Sequence, residues 1–348
     1  MIEGQTLVEL ATQIQAESAA KQDFVSDTRS IQVNSRENIL ISEQGEHPIT
    51  ELCHHQIATR AGIPVRYYDR MRRETPDLLD SNVSTWWNKE PARRLVRTLN
   101  GNARAFLSDR YRRIDHDQIL MSTLPHLKDQ GMQVKSSAIT DSRMYMQAVF
   151  PKLEGAVKVN DPVQMGIVLK NSEVGLGAVS IIPMVYRLVC LNGMISGTQI
   201  KSGAFRATHL GRQLVDDGNI SYKDDTREAD DRALMLKIRD AIQQLSDPKL
   251  FQALLAQMQA STEGPRVERP VAAVEVLSKA FLLPEMEKDN ILESLIKGQD
   301  YSRWGLLNAV TAQANEVKSY DRAIELEEMG GKILGMNQST WRDIAEAA

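Results

Sequence analysis

Cysteine is almost absent from this chain. Only Cys53 and Cys190 occur, far apart and outside any Cys-x-x-Cys or Cys/His grouping. That excludes a disulfide framework and argues against a structural zinc site. Two reduced thiols are expected, with Cys190 buried in its apolar run. Aromatic residues are scarce, at 5%, so the core must rest on aliphatic side chains and methionine. No apolar run is long and unbroken enough to span a bilayer. Neither sign of charge dominates: the formal net charge is −4, which excludes a generally basic polyanion-binding chain and leaves room for a local basic patch. The opening MIEGQTLVELATQ carries acids and no basic segment, so no secretory leader is expected and the expected setting is the cytoplasm. The P-loop, the dinucleotide fingerprint, the GxSxG elbow and HExxH are all missing. No cofactor is expected.

What is present is ordinary globular composition. The 348 residues are 42% hydrophobic and 25% charged, enough for one large domain or two modest ones with real cores. Leu7, Leu10, Ala11 and Ile14 share a helical face. Two short alternating runs follow around a turn at Ser35–Asn38. Thr50 is placed to cap a helix that Gly62 stops, and VRYYDRMRRETPDLL reads as the next helix, with Arg66, Arg70 and Arg73 away from its apolar face. Arg104–Leu107 reads as a strand, and Asp115 or Asp117 opens a helix ending before Gly131. Residues 132–200 form a β-rich centre. Strands are expected over 132–138, 143–150, 164–169 and 178–182, with a turn over 171–177, and Asn192–Gly193 reads as a further turn. Helical periodicity then runs from 225 to 260, broken at Pro248, and returns near 271–282, 285–296, 302–329 and 338–347. The expected fold class is α+β: a central, mostly antiparallel sheet with flanking helices and a helical C-terminal third. Residues 1–215 are expected to form the α+β portion and 225–348 the helical portion, packed together or apart.

Three segments, RAFLSDRYRRIDHDQIL at 104–120, VYRLVCLNGMI at 185–195 and SRWGLLNAVTAQAN at 302–315, resemble in this order a phage- and plasmid-associated family, the domain of unknown function 932. The resemblance runs over about residues 40–335. It implies a mobile-element origin and brings no catalytic residues with it. The order of central strands and flanking helices is also compatible with phage single-strand annealing proteins, by analogy of fold alone.

The densest chemistry lies between residues 93 and 113. Arg93, Arg94, Arg97, Arg104, Arg110, Arg112 and Arg113 face a single acid there, Asp109. Guanidinium forks suit phosphate, and Tyr111 and Phe106 are interleaved where they could stack on bases. A second basic group, KSGAFRATHLGRQL, adds Lys201, Arg206 and Arg212. The functional expectation is a nucleic-acid-binding accessory of a mobile element that holds single-stranded DNA, as a homo-oligomer. The competing reading makes the same arginines a salt-bridged surface, with Phe106, Trp86 and Tyr111 in or near the core, on a protein whose partner is a phage or host protein. A third reading is a divalent-metal nuclease built from Asp109, Asp115, Asp117 and Glu173. Adjacent His54 and His55 cannot share a helix face, which argues against a paired-histidine metal site. The acidic run Glu325, Glu327 and Glu328 reads as a solvated helix face.

Overall fold

Thr6 opens the first helix with a reciprocal cap. Its hydroxyl accepts from the Glu9 N–H at 3.3 Å while the Glu9 carboxylate accepts from the Thr6 N–H at 2.8 Å, which satisfies N–H groups the helix itself leaves unpaired. The helix, α1 (Leu7–Ala19), buries Leu10 and Ile14. The computed structural model describes residues 1–196, 204–207 and 224–347.

After β1 (Phe24–Asp27), an antiparallel meander follows: β2 (Gln32–Asn34), β3 (Ile39–Ser42) and β4 (Gly45–Pro48). Then come α2 (Glu51–Arg60), α3 (Val65–Glu74) and α4 (Pro76–Lys89). The expected single helix through VRYYDRMRRETPDLL is two, because Pro76 disfavours helical backbone at Thr75 and itself suits the first turn of α4. Strands β5 (Arg93–Leu99) and β6 (Asn102–Ser108) form a hairpin through Asn100 and Gly101, whose φ angles of 50° and 80° match the twist of a tight two-residue turn. β1 adds to the far edge of β5, giving the order β1-β5-β6.

Helix α5 (His116–Asp129) leads into the large sheet of β7 (Gln133–Ile139), β8 (Met144–Ala156), β9 (Pro162–Asn171), β10 (Val179–Arg187), β11 (Asn192–Ile195) and β12 (Phe205–Ala207). Its order is β11-β10-β9-β8-β7, antiparallel throughout, with β12 also on β10. Two expectations are corrected here. β10 does not end at Pro183; it runs through that residue, whose carbonyl accepts from the Ser196 N–H at 3.0 Å. Proline's missing donor falls where the edge of β10 changes partner, from β12 along Val179–Ile181 to β11 along Met184–Arg187. Asn192–Gly193 is also no turn but the start of β11, and the chain reverses before it, at Leu191 with φ 52°.

The C-terminal third is α6 (Asp224–Leu245), α7 (Pro248–Ala260), α8 (Pro270–Phe281), α9 (Glu285–Gly298), α10 (Arg303–Ala312), α11 (Tyr320–Leu334) and α12 (Gln338–Ala345). A 3-10 turn at Gln313–Asn315 divides the expected 302–329 helix. No helix among the described residues is long and apolar enough to cross a membrane.

Pleating sorts the strands into two faces. Met144, Met146, Ala148 and Phe150 of β8 join a core shared with α1, α5 and the C-terminal helices, while Tyr145 and Val149 face the opposite side with Tyr320 and Ile324. A separate core fills the N-terminal lobe, where Ile57, Tyr68, Met71, Leu79, Val83 and Trp87 meet Phe106.

Glu327 corrects the reading of α11 as a solvated acidic face. It is 1% exposed, its carboxylate accepts from the Gln147 amide, and its neighbour Glu328 pairs with Lys170. Burial pushes the Glu327 carboxyl up to about 7. A carboxyl whose folded value lies above its unfolded one binds a proton on folding. Its contribution is therefore full below the ordinary value of 4.5 and is lost as pH rises through about 7. Glu327→Gln keeps the shape and removes the titration. Urea unfolding between pH 5 and 8 should show a shallower fall in stability for the variant than for the wild type; parallel curves would refute a neutral Glu327.

Candidate functional site

The arginine stretch from 93 to 113 does not fold into one surface. Strand pleating and the β5–β6 hairpin turn its members in different directions. Arg97 is fully buried: it donates to Asp23 Oδ2 at 2.8 Å, to Asp115 Oδ1 at 2.6 Å and to the Glu173 carbonyl at 3.0 Å. Arg104 donates to Glu173 Oε2 at 2.6 Å, and Arg112 pairs with Asp231 of α6. Tyr111 donates its hydroxyl to the Ser172 carbonyl at 3.0 Å, and Phe106 stacks on Trp87 with ring centroids 5.2 Å apart. Arg93, Arg110 and Arg113 are exposed, Arg94 is half-buried, and Arg206 is exposed on β12. Lys201 and Arg212 lie outside the described residues. Arg97, Arg104, Phe106 and Tyr111 thus serve the interior, in place of the phosphate or base contacts the sequence pattern suggested.

The carboxylates of the expected nuclease set do not form a metal-ligand cluster, the one such group among the described residues being Glu51, His55 and Asp69. Asp115 is taken by Arg97, Asp117 accepts from Ser18 Oγ at 3.1 Å, and Asp109 is exposed beside Ser108. Glu173 is 1% exposed and accepts from Lys21 Nζ at 2.6 Å, from Arg104 and from the His116 N–H at 2.7 Å. Burial alone would push its carboxyl up; His116 while it is protonated, and the permanent charges of Lys21 and Arg104, more than reverse that and hold it well below the usual carboxylate range. Burial keeps the His116 ring neutral, down to about 4. Asp115 caps α5, so this knot ties the helix start, the β5–β6 hairpin and the loop after β9 together. Removing one member of a buried pair strands its partners without water, at a cost of roughly 3–5 kcal/mol. Glu173→Ala should therefore lower the unfolding free energy read from urea titration by that amount, whereas Asp109→Ala should leave it within about 0.5 kcal/mol of wild type.

The carboxylate–histidine geometry lies elsewhere, between α2 and α3. Thr50 caps α2 by accepting from the Cys53 N–H at 3.4 Å, and Gly62, with φ 70°, lets the chain leave the helix. Glu51 and His55 stand one turn apart on α2, and Asp69 of α3 faces them. His55 Nε2 lies 3.2 Å from Glu51 Oε1 and 3.4 Å from Asp69 Oδ2, and one ligand atom from each of the three lies within 4.8 Å of the others. His55 Nε2 and Asp69 Oδ1 are shielded from solvent, and neither makes a hydrogen bond. Bonds of about 2.0–2.2 Å to a tetrahedral cation set ligand atoms roughly 3.3–3.6 Å apart, so the His55–Asp69 edge already matches a metal site with a fourth position open and the His55–Glu51 edge lies just inside that spacing. Arg72 Nη2 donates to Glu51 at 2.8 and 3.0 Å and holds its carboxyl below the usual range, ionised and oriented. His54 points the other way, to Tyr68 and Asn38, and burial pushes its ring down to about 4. The adjacency argument holds for the two histidines as a pair but missed what His55 does one turn from Glu51. That i, i+4 spacing was the available signal.

A second feature adjoins the α2–α3 turn. A cleft of about 370 Å³ is lined by Thr28, Thr59, Arg60, Trp87, Glu90 and Arg94, among others. Trp87 is only 3% exposed, and neither its Nε1–H nor the Arg94 Nε–H has an acceptor. Burial and the neighbouring Arg60 charge depress the Arg94 pKa. Cys190, expected to be buried, is exposed and lies 3.0 Å from Arg187 Nη1; Cys53 is the buried thiol, and burial pushes its pKa up.

No curated protein and no solved structure matches this chain. A family model does match, over residues 105–334. Those residues include α5, β7–β11, most of β6 and the helices through α11, so the match takes in the large sheet and its helical cover and begins beyond the α2–α3 pair. The chain belongs to the family described as Domain of unknown function (DUF932).

Proposed function

We propose that this protein is a divalent-metal-dependent nuclease whose cation is held by Glu51, His55 and Asp69. The observation that carries this reading is the convergence of one imidazole nitrogen and two carboxylates at metal-ligand spacing, with the nitrogen and an Asp69 oxygen lacking any other partner. A cation there would lower the pKa of water and polarise a phosphoryl oxygen. The chain's own groups do the rest. Arg72 keeps Glu51 oriented, as a supporting residue behind a ligand. Arg66, Arg70 and Arg73, exposed on α3, attract the phosphate backbone. Hydrolysis adds water to phosphorus and breaks one ester bond, leaving a phosphomonoester and a free hydroxyl. Nucleic acid is the substrate class. The single strand expected from the arginine-rich sequence, and self-association of the chain, belong to this reading as open alternatives of substrate and assembly.

The test is titration calorimetry with Mn²⁺ and Zn²⁺, followed by cleavage of labelled single-stranded and duplex DNA. One cation per chain is expected, bound more weakly at acid pH because ligation needs the neutral imidazole. Asp69→Asn and His55→Ala should weaken binding at least tenfold and abolish chelator-sensitive cleavage while the melting temperature holds. Cleavage that survives both substitutions, or a wild type that binds neither cation, would refute the metal centre.

A further inference from the structure

We propose that α2 and α3 form a helix-turn-helix unit that seats α3 in the major groove of duplex DNA. This inference stands on the fold of residues 51–74 and not on the metal centre.

The connection is four residues long, Ala61 to Pro64. Gly62 takes the left-handed conformation, the Ile63 N–H donates back to the Ala58 carbonyl at 2.9 Å, and Pro64 fixes the start of α3. A short glycine turn between two helices is the signature of this motif. Burial follows the same logic. Ile57, Ala58 and Ala61 from the first helix and turn meet Ile63, Tyr68 and Met71 from the turn and second helix, with Leu79 and Val83 of α4 completing a small three-helix core. Tyr68 OH and His54 Nδ1 lie 2.9 Å apart and lock the crossing.

With its inner side committed to α2 and α4, α3 turns a different side outward. Arg66, Arg70 and Arg73 stand at i, i+4 and i+7 and are exposed, and Tyr67 beside them is 48% exposed. One helical face therefore carries three guanidinium forks. The competing contact is small: Arg70 donates to Glu74 at 2.9 Å in an exposed pair, which costs little to exchange for phosphate or base. Across α2 and α3 together, five arginines face three acids, in a chain of net charge −4. At the turn, the cleft offers unpartnered donors from Trp87 and Arg94 beside Arg60. The cleft also holds one acid, Glu90, which the charges of Arg60 and Arg94 outnumber; that balance beside the turn into α3 suits a backbone phosphate, while the arginine face suits the guanine edge. Duplex DNA is the fitting ligand because its major groove admits a helix, and the deep, narrow major groove of duplex RNA does not.

The experiment uses the full chain with chelator present, so that no cleavage intervenes. Fluorescence anisotropy compares labelled mixed-sequence duplex DNA, the matched single strand and the matched RNA duplex across a salt series. Duplex DNA should bind tightest. The triple variant Arg66→Ala/Arg70→Ala/Arg73→Ala should bind at least tenfold more weakly with a shallower salt dependence. Arg94→Gln should weaken binding severalfold, and Arg342→Ala, on the distant α12, should not. Because the three α3 arginines are exposed, far-UV circular dichroism and melting should be unchanged. Equal affinity of the triple variant, preference for the single strand or RNA, or no binding by the wild type at low salt would each overturn the proposal. A nuclease failure with intact duplex binding would leave it standing.

Discussion

Glu173 sits where three parts of the chain meet, and each contributes a donor to its carboxylate: Lys21 after α1, Arg104 from the β5–β6 hairpin, and the His116 N–H at the start of α5. Its own carbonyl accepts from Arg97, which in turn holds Asp23 and Asp115. Six residues are thus folded around one buried anion. The arrangement is stable only as a set, because any one charge left without its partner has no water to turn to.

The position of α2 and α3 depends on this knot. Residues 172–174 follow β9 of the large sheet and are fully buried, and Gln56 of α2 donates to the Val174 carbonyl at 2.7 Å while accepting from the Phe106 N–H at 2.7 Å. The loop that carries Glu173 therefore also holds the middle of α2. The N-terminal lobe is seated on the loop after β9 by these polar contacts and by a small apolar cluster of Leu95, Ala105, Leu107 and Val174, while its main apolar core remains separate from the larger one.

How much of this was legible follows from the range of the interactions. Caps and periodicity are local, and Thr50, Asp115, Gly62 and the helices of the C-terminal third were readable from neighbours a few residues apart. The antiparallel centre was readable from alternation. The strand expected over 178–182 came out too short because the effect of Pro183 depends on which strand lies on the open edge, a fact set by residues far along the chain. The arginine stretch misled for a similar reason. Charge density in sequence is a local quantity, but the partners of Arg97 and Arg104 come from residues 23, 115 and 173, and only folding brings them close. Glu51 and His55 carried a local signal, one helical turn, whereas Asp69 reaches them only because Gly62 redirects the chain.

The two proposals meet on α3. At about 100° per residue, Arg66, Arg70 and Arg73 cluster around one direction and Asp69 lies roughly 60° to one side. A helix lying in the major groove would carry the Glu51–His55–Asp69 centre on its flank, toward the backbone that borders the groove. Two carboxylates there oppose a phosphate. Arg72 offsets one of them through Glu51, and a bound cation would offset both. Cation and nucleic acid should then each favour the other, by the same factor whichever binds first, since the coupling is a property of the ternary state. This reciprocity separates a metal centre that works on a docked strand from an ion pair that only fastens α2 to α3: in the second case the carboxylates are already spent on His55 and Arg72, and a divalent cation would leave affinity for the duplex unchanged or reduce it by screening.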